Sequence, residues 1–326
     1  MEKTSFELVP TAPYDFDLQW KFYSSSKEPQ PEIYKNGIWR RAFKIDDRLI
    51  PVAVTSTGTI EKPRLEINVF SKLNTKEEKY ILSKITDIFR LRDNLKALYD
   101  FMEQDKILRR VKNKLYGLRP PGIGANIFEG AIRVIIQQQI SLQVAYVMTG
   151  ALVKRFGERV KINGELYYDF PSPQVLANAD ENELRMCKLS RQKSKYIKEL
   201  ALKVVNGYDL EKIKRLNNEE AIDELMKFKG IGRWTAELIL ITTLGRMDLC
   251  VPDDLGARKA VSYFYFDRKL QSGDEVRRFT KRWGKFKGWI IYYLICAYNM
   301  ENKKKRCKME KQELYDKEPV WASGAK

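Results

Sequence analysis

The stretch KFKGIGRWTAELILITTLGRMDLCVPDDLGAR, residues 227–258, sets a Gly-Ile-Gly turn ahead of an apolar run and ends with Pro252 followed by two adjacent carboxylates. Just upstream, NNEEAIDELM opens on asparagine caps and acidic first-turn residues, and Ile222, Leu225 and Met226 recur at helical spacing up to Phe228. A helix therefore stops before Gly230. Gly230 and Gly232 permit backbone angles that other residues resist. Thr235 to Leu244 then reads as a second helix, apolar almost all round and ended by Gly245.

Such a hairpin can aim the free amides of the second helix's N-terminus at a phosphate, with the partial positive charge of the helix behind them. Contacts of that kind carry no base information, so the grip is independent of sequence. Lys227, Lys229 and Arg233 add charge beside it. The same residues also describe an ordinary pair of helices with a glycine C-cap. Val251-Pro252-Asp253-Asp254 has two readings as well: Pro followed by Asp is a standard helix start, yet one Asp suffices as the cap and the second is left over.

Charge points the same way. The 326 residues hold 60 Lys and Arg against 43 Asp and Glu, a formal net charge of +17, which favours a polyanionic partner such as nucleic acid. Solvated lysine faces that serve solubility are the plainer account of the same number. Histidine is absent, which excludes Ser-His-Asp and Cys-His nucleophiles and HExxH zinc sites, and leaves carboxylates, Lys, Tyr or Cys for catalysis. The four cysteines, at 187, 250, 296 and 307, lack any zinc spacing and read as buried thiols of a reducing compartment. MEKTSFELVPTAPYDF has no apolar signal-peptide core, and the longest apolar run, Trp289 to Met300, is shorter than a bilayer requires. The expectation is an intracellular protein without a membrane span, cytoplasmic (with the nucleoid) or nuclear.

Working outward, residues 1–72 read as a β-rich N-terminal domain. Trp39 to Phe43, Leu49 to Thr55 and Arg64 to Phe70 have strand character between turn signals at Asn36-Gly37, Asp46-Asp47 and Thr57-Gly58. From Thr75, taken as a cap with Glu78 three residues on, the pattern turns helical. Residues 73–300 read as helices with short connections, with the helix-hairpin-helix at 219–244 and two helices meeting near Ser190-Arg191. The cluster Arg191, Lys193 and Lys195 reads either as a phosphate contact or as a solvated charge run. Residues 301–326 read as a charged, frayed tail. The fold class is mainly α with a small antiparallel β domain, an α+β chain.

KGIGRWTAELIL followed by VPDD, with the second Asp 22 residues past Gly232, resembles the helix-hairpin-helix DNA glycosylase superfamily, in its alkylation-repair 3-methyladenine DNA glycosylase II branch. PYDFDLQW (13–20) and RWGKFKGWIIYYLICAYN (282–299) are similar to that branch's opening and closing segments, so the resemblance spans most of residues 12–300. It implies the family's fold, base flipping, and excision of alkylated purines from double-stranded DNA by a monomer. It assigns Gly230, Gly232, Arg233, Thr235 and Lys229 to the DNA grip, Asp254 to catalysis and Asp253 to the helix cap. Bifunctional members carry a Schiff-base lysine where this chain has Trp234, which implies a hydrolytic enzyme without lyase chemistry. The same tryptophan suits a pocket for positively charged alkylpurines, by about 0.5–2 kcal/mol of cation–π attraction.

The resemblance also marks departures. Leu238 and Leu255 stand where the family has aromatics, and its Trp-Tyr pair falls at Ile295-Cys296, leaving Tyr292 and Tyr293, with Trp289 and Tyr298, as substitutes for the pocket. The wedge that fills the gap left by a flipped base falls at Gln139, beside Gln138. No cofactor is implied beyond a structural Na+ or K+ on the hairpin carbonyls, with no side-chain ligands. Two alternatives stay open: a non-catalytic DNA-binding module, and a glycosylase/lyase for oxidised or deaminated bases using another lysine.

Overall fold

The computed structural model describes residues 3–22 and 28–315, with side chains to residue 302. The N-terminal part is an antiparallel sheet of β1 (Thr4–Leu8), β2 (Ile33–Lys35), β3 (Ile38–Ile45), β4 (Arg48–Ser56) and β5 (Leu65–Val69), ordered β1-β5-β4-β3-β2. Asn36 and Gly37 both take positive φ, 54° and 74°, as a tight two-residue hairpin requires. Leu65, Ile67 and Val69 point inward between half-buried Glu66 and Asn68. With Trp39 and Phe43 they pack on Trp20 of α1 (Phe16–Lys21) and on Ile81, Ile85 and Phe89 of α2 (Thr75–Phe89). The cap of α2 is Asn74, in a reciprocal box with Glu77, and not the expected Thr75 with Glu78; asparagine is the stronger cap and sets the boundary one residue earlier.

The chain continues through α3 (Lys96–Met102), α4 (Lys106–Lys114), α5 (Ile127–Gln137) and α6 (Leu142–Phe156) into a β-hairpin, β6 (Arg159–Ile162) and β7 (Glu165–Tyr168). It then runs through α7 (Pro173–Asn178), α8 (Glu181–Met186), α9 (Arg191–Val205), α10 (Asn218–Met226) and α11 (Arg233–Leu244). The last helices are α12 (Leu255–Tyr265), α13 (Gly273–Thr280) and α14 (Lys287–Tyr315).

These helices bury two cores. α5 to α11 share one built on Ile132, Ile135, Leu200, Ile222 and Leu240, whereas α3, α4 and α12 to α14 share another around Leu98, Val261, Trp283 and Leu294.

Three expectations change. The β6–β7 hairpin falls inside the stretch read as all helical; its Ile162 and Tyr167 cover Ala42 and Ala53, which is why β4 is buried on both faces. The segment around Ser190-Arg191 holds three helices, because Asp180 caps a new helix at a break after α7. α14 runs on as helix to Tyr315, so no structural boundary falls at residue 300, while residues 316–326 of the expected tail lie outside the described residues.

Sheet and helices are joined through charge. Buried Arg41 on β3 reaches Glu32 and Glu129 at 2.6 Å each and Asp169 at 3.3 Å, and Arg133 of α5 reaches Glu32 at 2.8 Å. Burial pushes the Asp169 carboxyl up to about 6, against the pull of Arg41. Among the described residues, no helix is long and apolar enough to cross a membrane.

Candidate active site

The hairpin forms where the glycines stand. α10, boxed at its start by Asn217 and Glu220, ends at Lys227, and the Ile231 amide closes the turn on the Phe228 carbonyl at 3.1 Å. Gly230 takes φ +82°, and a β-carbon there would lie 2.1 Å from the ring of Tyr196 on α9. Both conformation and space therefore demand glycine. Gly232 is the N-cap of α11 in extended geometry, with nothing within 4 Å of where its β-carbon would be and no side chain bonding the helix's first amides. The start of α11 is thus open to an anion.

The charges beside it are engaged within the chain. Arg233 reaches Glu219 at 2.8 Å and buried Glu237 at 3.1 Å, and Lys229 reaches Glu199 at 3.3 Å. These partly exposed pairs are worth little and can exchange for phosphate. The Glu237 carboxyl is pushed up by burial.

Two residues assigned to DNA, Thr235 and Gln138, bond to each other at the edge of the same cleft. The Thr235 side chain is buried, and its hydroxyl accepts a 2.9 Å bond from Gln138 Nε2, so its contribution to a phosphate grip falls to its backbone amide in the first turn of α11. Gln138, read as part of the wedge, also donates to the Gly230 carbonyl at 2.8 Å and so ties α5 to the hairpin. Gln139 is exposed, with φ +58°, on the turn between α5 and α6. It lines a cleft of about 490 Å³ with Ser190, Lys193, Tyr196, Gly232 and Trp234. Tyr196 is a residue that sequence reasoning missed, and Lys193 one that it misread. Lys193 fits neither reading of its basic cluster, since its ammonium donates to the Ile136 and Gln138 carbonyls at 2.7 Å each. Its placement at the third position of a capped helix was the available signal.

The cap falls on the other member of the acidic pair. Asp254 is the N-cap of α12, its Oδ1 accepting the Ala257 amide at 3.0 Å, whereas Asp253 is exposed and pairs with Arg277 at 2.8 Å. The expected cap at Asp253 is wrong because the helix starts one residue later. Gly273 of α13 leaves room for Asp253, whose Oδ1 lies 1.9 Å from where a β-carbon would be. Asp254 Oδ2 has no bond among the described residues.

Of the pocket residues, Trp234 and Leu238 are half-buried against the α5–α11 core, and Leu255 is 50% exposed at the first position of α12. Tyr292 is half-buried on α14, near Cys296, Tyr146 and Arg90, and burial raises its hydroxyl pKa well above the ordinary value. Tyr293 leaves the pocket: it is fully buried, its hydroxyl 3.0 Å from that of Tyr99 and donating to the Leu118 carbonyl at 2.6 Å. One turn position separates a site-facing from a core-facing tyrosine. Cys187 and Cys296 are buried, and burial pushes Cys296 up to about 12. The Cys307 side chain lies outside the described residues.

No cluster of three acidic or cysteine side chains suited to a metal occurs among the described residues. On the hairpin, the carbonyls of Lys227, Phe228 and Gly230 already accept bonds from Lys203, Ile231 and Gln138. Each of these oxygens keeps a second lone pair on which a Na+ or K+ ion could sit.

Comparison with known proteins follows this geometry. A family model described as HhH-GPD superfamily base excision DNA repair protein matches residues 132–285. The solved structure of a 3-methyladenine DNA-glycosylase from Archaeoglobus fulgidus is 36% identical, with a TM-score of 0.79, covering 89% of this chain and 97% of that one. DNA-3-methyladenine glycosylase of Bacillus subtilis is 26% identical over 88% of this chain and 95% of its own length. DNA-3-methyladenine glycosylase 1 of Schizosaccharomyces pombe is 31% identical over 51% of this chain and 70% of its own length.

Proposed function

Since the chain belongs to the HhH-GPD superfamily of base excision DNA repair proteins, we propose that it is a monofunctional DNA glycosylase that removes alkylated purines from double-stranded DNA. The amides of the uncapped α11 hold a phosphate beside the lesion without reading sequence. The damaged nucleotide leaves the stack, and Trp234 offers its electron-rich face to the cationic base. As the bond from C1′ to the base nitrogen breaks, its electron pair departs with the base and neutralises the alkylated ring. The sugar gains oxocarbenium character, which the anionic Asp254 stabilises; water adds to C1′ and gives up a proton to that carboxylate. The products are the free base and an abasic site. The enzyme works as a monomer inside the cell, without a cofactor.

The observation that carries this reading is the fixed carboxylate: one oxygen of Asp254 is held by the Ala257 amide while the other has no bond among the described residues. Trp234 at the family's lysine position supports hydrolysis over lyase chemistry. The test is release of 3-methyladenine and 7-methylguanine from methylated duplex DNA by the wild type and by Asp254→Asn. Release by the wild type and near-complete loss in the variant is the expected result. Equal release by both sinks the role of Asp254, and no release by either leaves a DNA-binding module.

A further inference from the structure

Gln139 is held in a left-handed backbone conformation that side chains other than glycine adopt reluctantly, and it is exposed. A strained conformation persists when its surroundings over-determine it. On one side, α5 ends at Gln138, leaving carbonyls of the last turn without helical partners. The Lys193 ammonium fills that need, donating at 2.7 Å to both Ile136 and Gln138. Lys193 is itself anchored, because its backbone amide donates to Ser190 Oγ at the cap of α9. On the other side, the Gln138 amide reaches the Gly230 carbonyl at 2.8 Å and the Thr235 hydroxyl at 2.9 Å. An unbroken chain of bonds thus runs from α9 through Lys193 to the end of α5, and from Gln138 to the hairpin.

We propose that Lys193 is a positioning residue that fixes Gln139 at a set offset from the hairpin's phosphate grip, so that Gln139 enters the duplex where the base has left. This rests on the glycosylase reading. Lys193 touches neither sugar nor base; it acts through the turn. Desolvation lowers its ammonium pKa, in keeping with a group that works by holding carbonyls and not by pairing with DNA phosphate. Tyr196, one turn along α9, packs under Gly230 and keeps α9 in register with the same hairpin.

The experiment compares wild type, Lys193→Met and Lys193→Arg on a 7-methylguanine lesion, either paired with cytosine in a duplex or left unpaired in a single strand. Single-turnover release and affinity for abasic duplex are measured. Misplacement by about an ångström can cost about 100-fold in rate, so Lys193→Met is expected to lose about that factor on the paired lesion. It should keep the wild-type rate on the unpaired lesion and lose affinity for abasic duplex, where Gln139 fills the same gap. Lys193→Arg, which keeps donors, should recover most of the loss. Equal losses on paired and unpaired lesions, or no loss on the paired one, overturn the proposal. Should Lys193→Met unfold, Lys193→Gln, which keeps a donor on a shorter side chain, must give a smaller loss that is again confined to the paired lesion. If the wild type releases no base from either substrate, the glycosylase reading fails and not the positioning role alone.

Discussion

The helices α11 and α12 follow each other in the chain and begin in opposite ways. α11 starts at Gly232 with no side chain on its first amides, whereas α12 starts at Asp254, whose carboxylate takes the Ala257 amide at 3.0 Å. Every helix N-terminus offers the same unsatisfied donors and partial positive charge. Left open, that end recruits an anion from outside; filled by the chain's own carboxylate, it becomes a mount that fixes one oxygen and presents the other. The two halves of the proposed chemistry, gripping DNA and attacking the sugar, are thus two uses of one local motif.

The contrast can be broken most sharply at α12. Asp254→Asn keeps a good cap but removes the charge, so base release should fall about 10³-fold with little change in Tm. Asp254→Ala should lose activity equally and, in addition, about 1 kcal/mol of stability. If thermal denaturation shows the same Tm for both variants, the capping half of the comparison fails.

At α11 the effects are smaller. Gly230→Ala must hold a left-handed conformation costing about 1–2 kcal/mol and drive its β-carbon to within 2.1 Å of Tyr196. Both stability in urea and duplex affinity should drop, the latter by about tenfold, since about 1.4 kcal/mol corresponds to that factor. Gly232→Asp converts the open start into a copy of the α12 start. The position is extended and unobstructed, so stability should rise by a few tenths of a kcal/mol. Affinity for undamaged duplex should weaken, and the slope of log K against log salt should shrink by about one phosphate contact. An unchanged salt slope would show that phosphate does not sit at this terminus.

A control lies away from both termini. Asp169 has its folded pKa raised to about 6 by burial. Its contribution to stability is therefore fully present below the ordinary carboxylate range near 3.8 and is lost as pH rises through about 6, on the order of 3 kcal/mol for a shift of this size. Urea unfolding between pH 4 and 8 should show that decline in the wild type and not in Asp169→Asn, while the difference between α11 and α12 is unaffected.

How much of this was legible differs by region for physical reasons. β3 to β5 could be read because turn residues bracket them and LEINVF alternates strictly, whereas β1 carried no such brackets and β2, three residues long and just ahead of Asn36-Gly37, is too short to show alternation. The β6–β7 hairpin went unread although Asn163-Gly164 is a hairpin signal, because four-residue strands with charged residues on both faces, Lys161 on one and Glu165 on the other, carry little periodicity. The hairpin and the acidic pair were legible as motifs. The division of labour between Asp253 and Asp254 was not, since it turns on a one-residue difference in where α12 begins. Gln138 and Lys193 were misread because what they bond to lies 92 and 57 residues away, at Gly230 and Ile136. Tyr293 shows the same limit within one helix, where neighbouring tyrosines face different surroundings.

The ring of Tyr196 occupies the volume that a side chain at position 230 would need. A position on α9 and one in the hairpin turn therefore share a single space, and the hairpin's glycine requirement is imposed partly from outside the hairpin. Shrinking the ring would relax the steric half of that requirement while leaving the backbone half intact, so substitutions at 196 and 230 are non-additive: the smaller partner at one site changes what the other can tolerate.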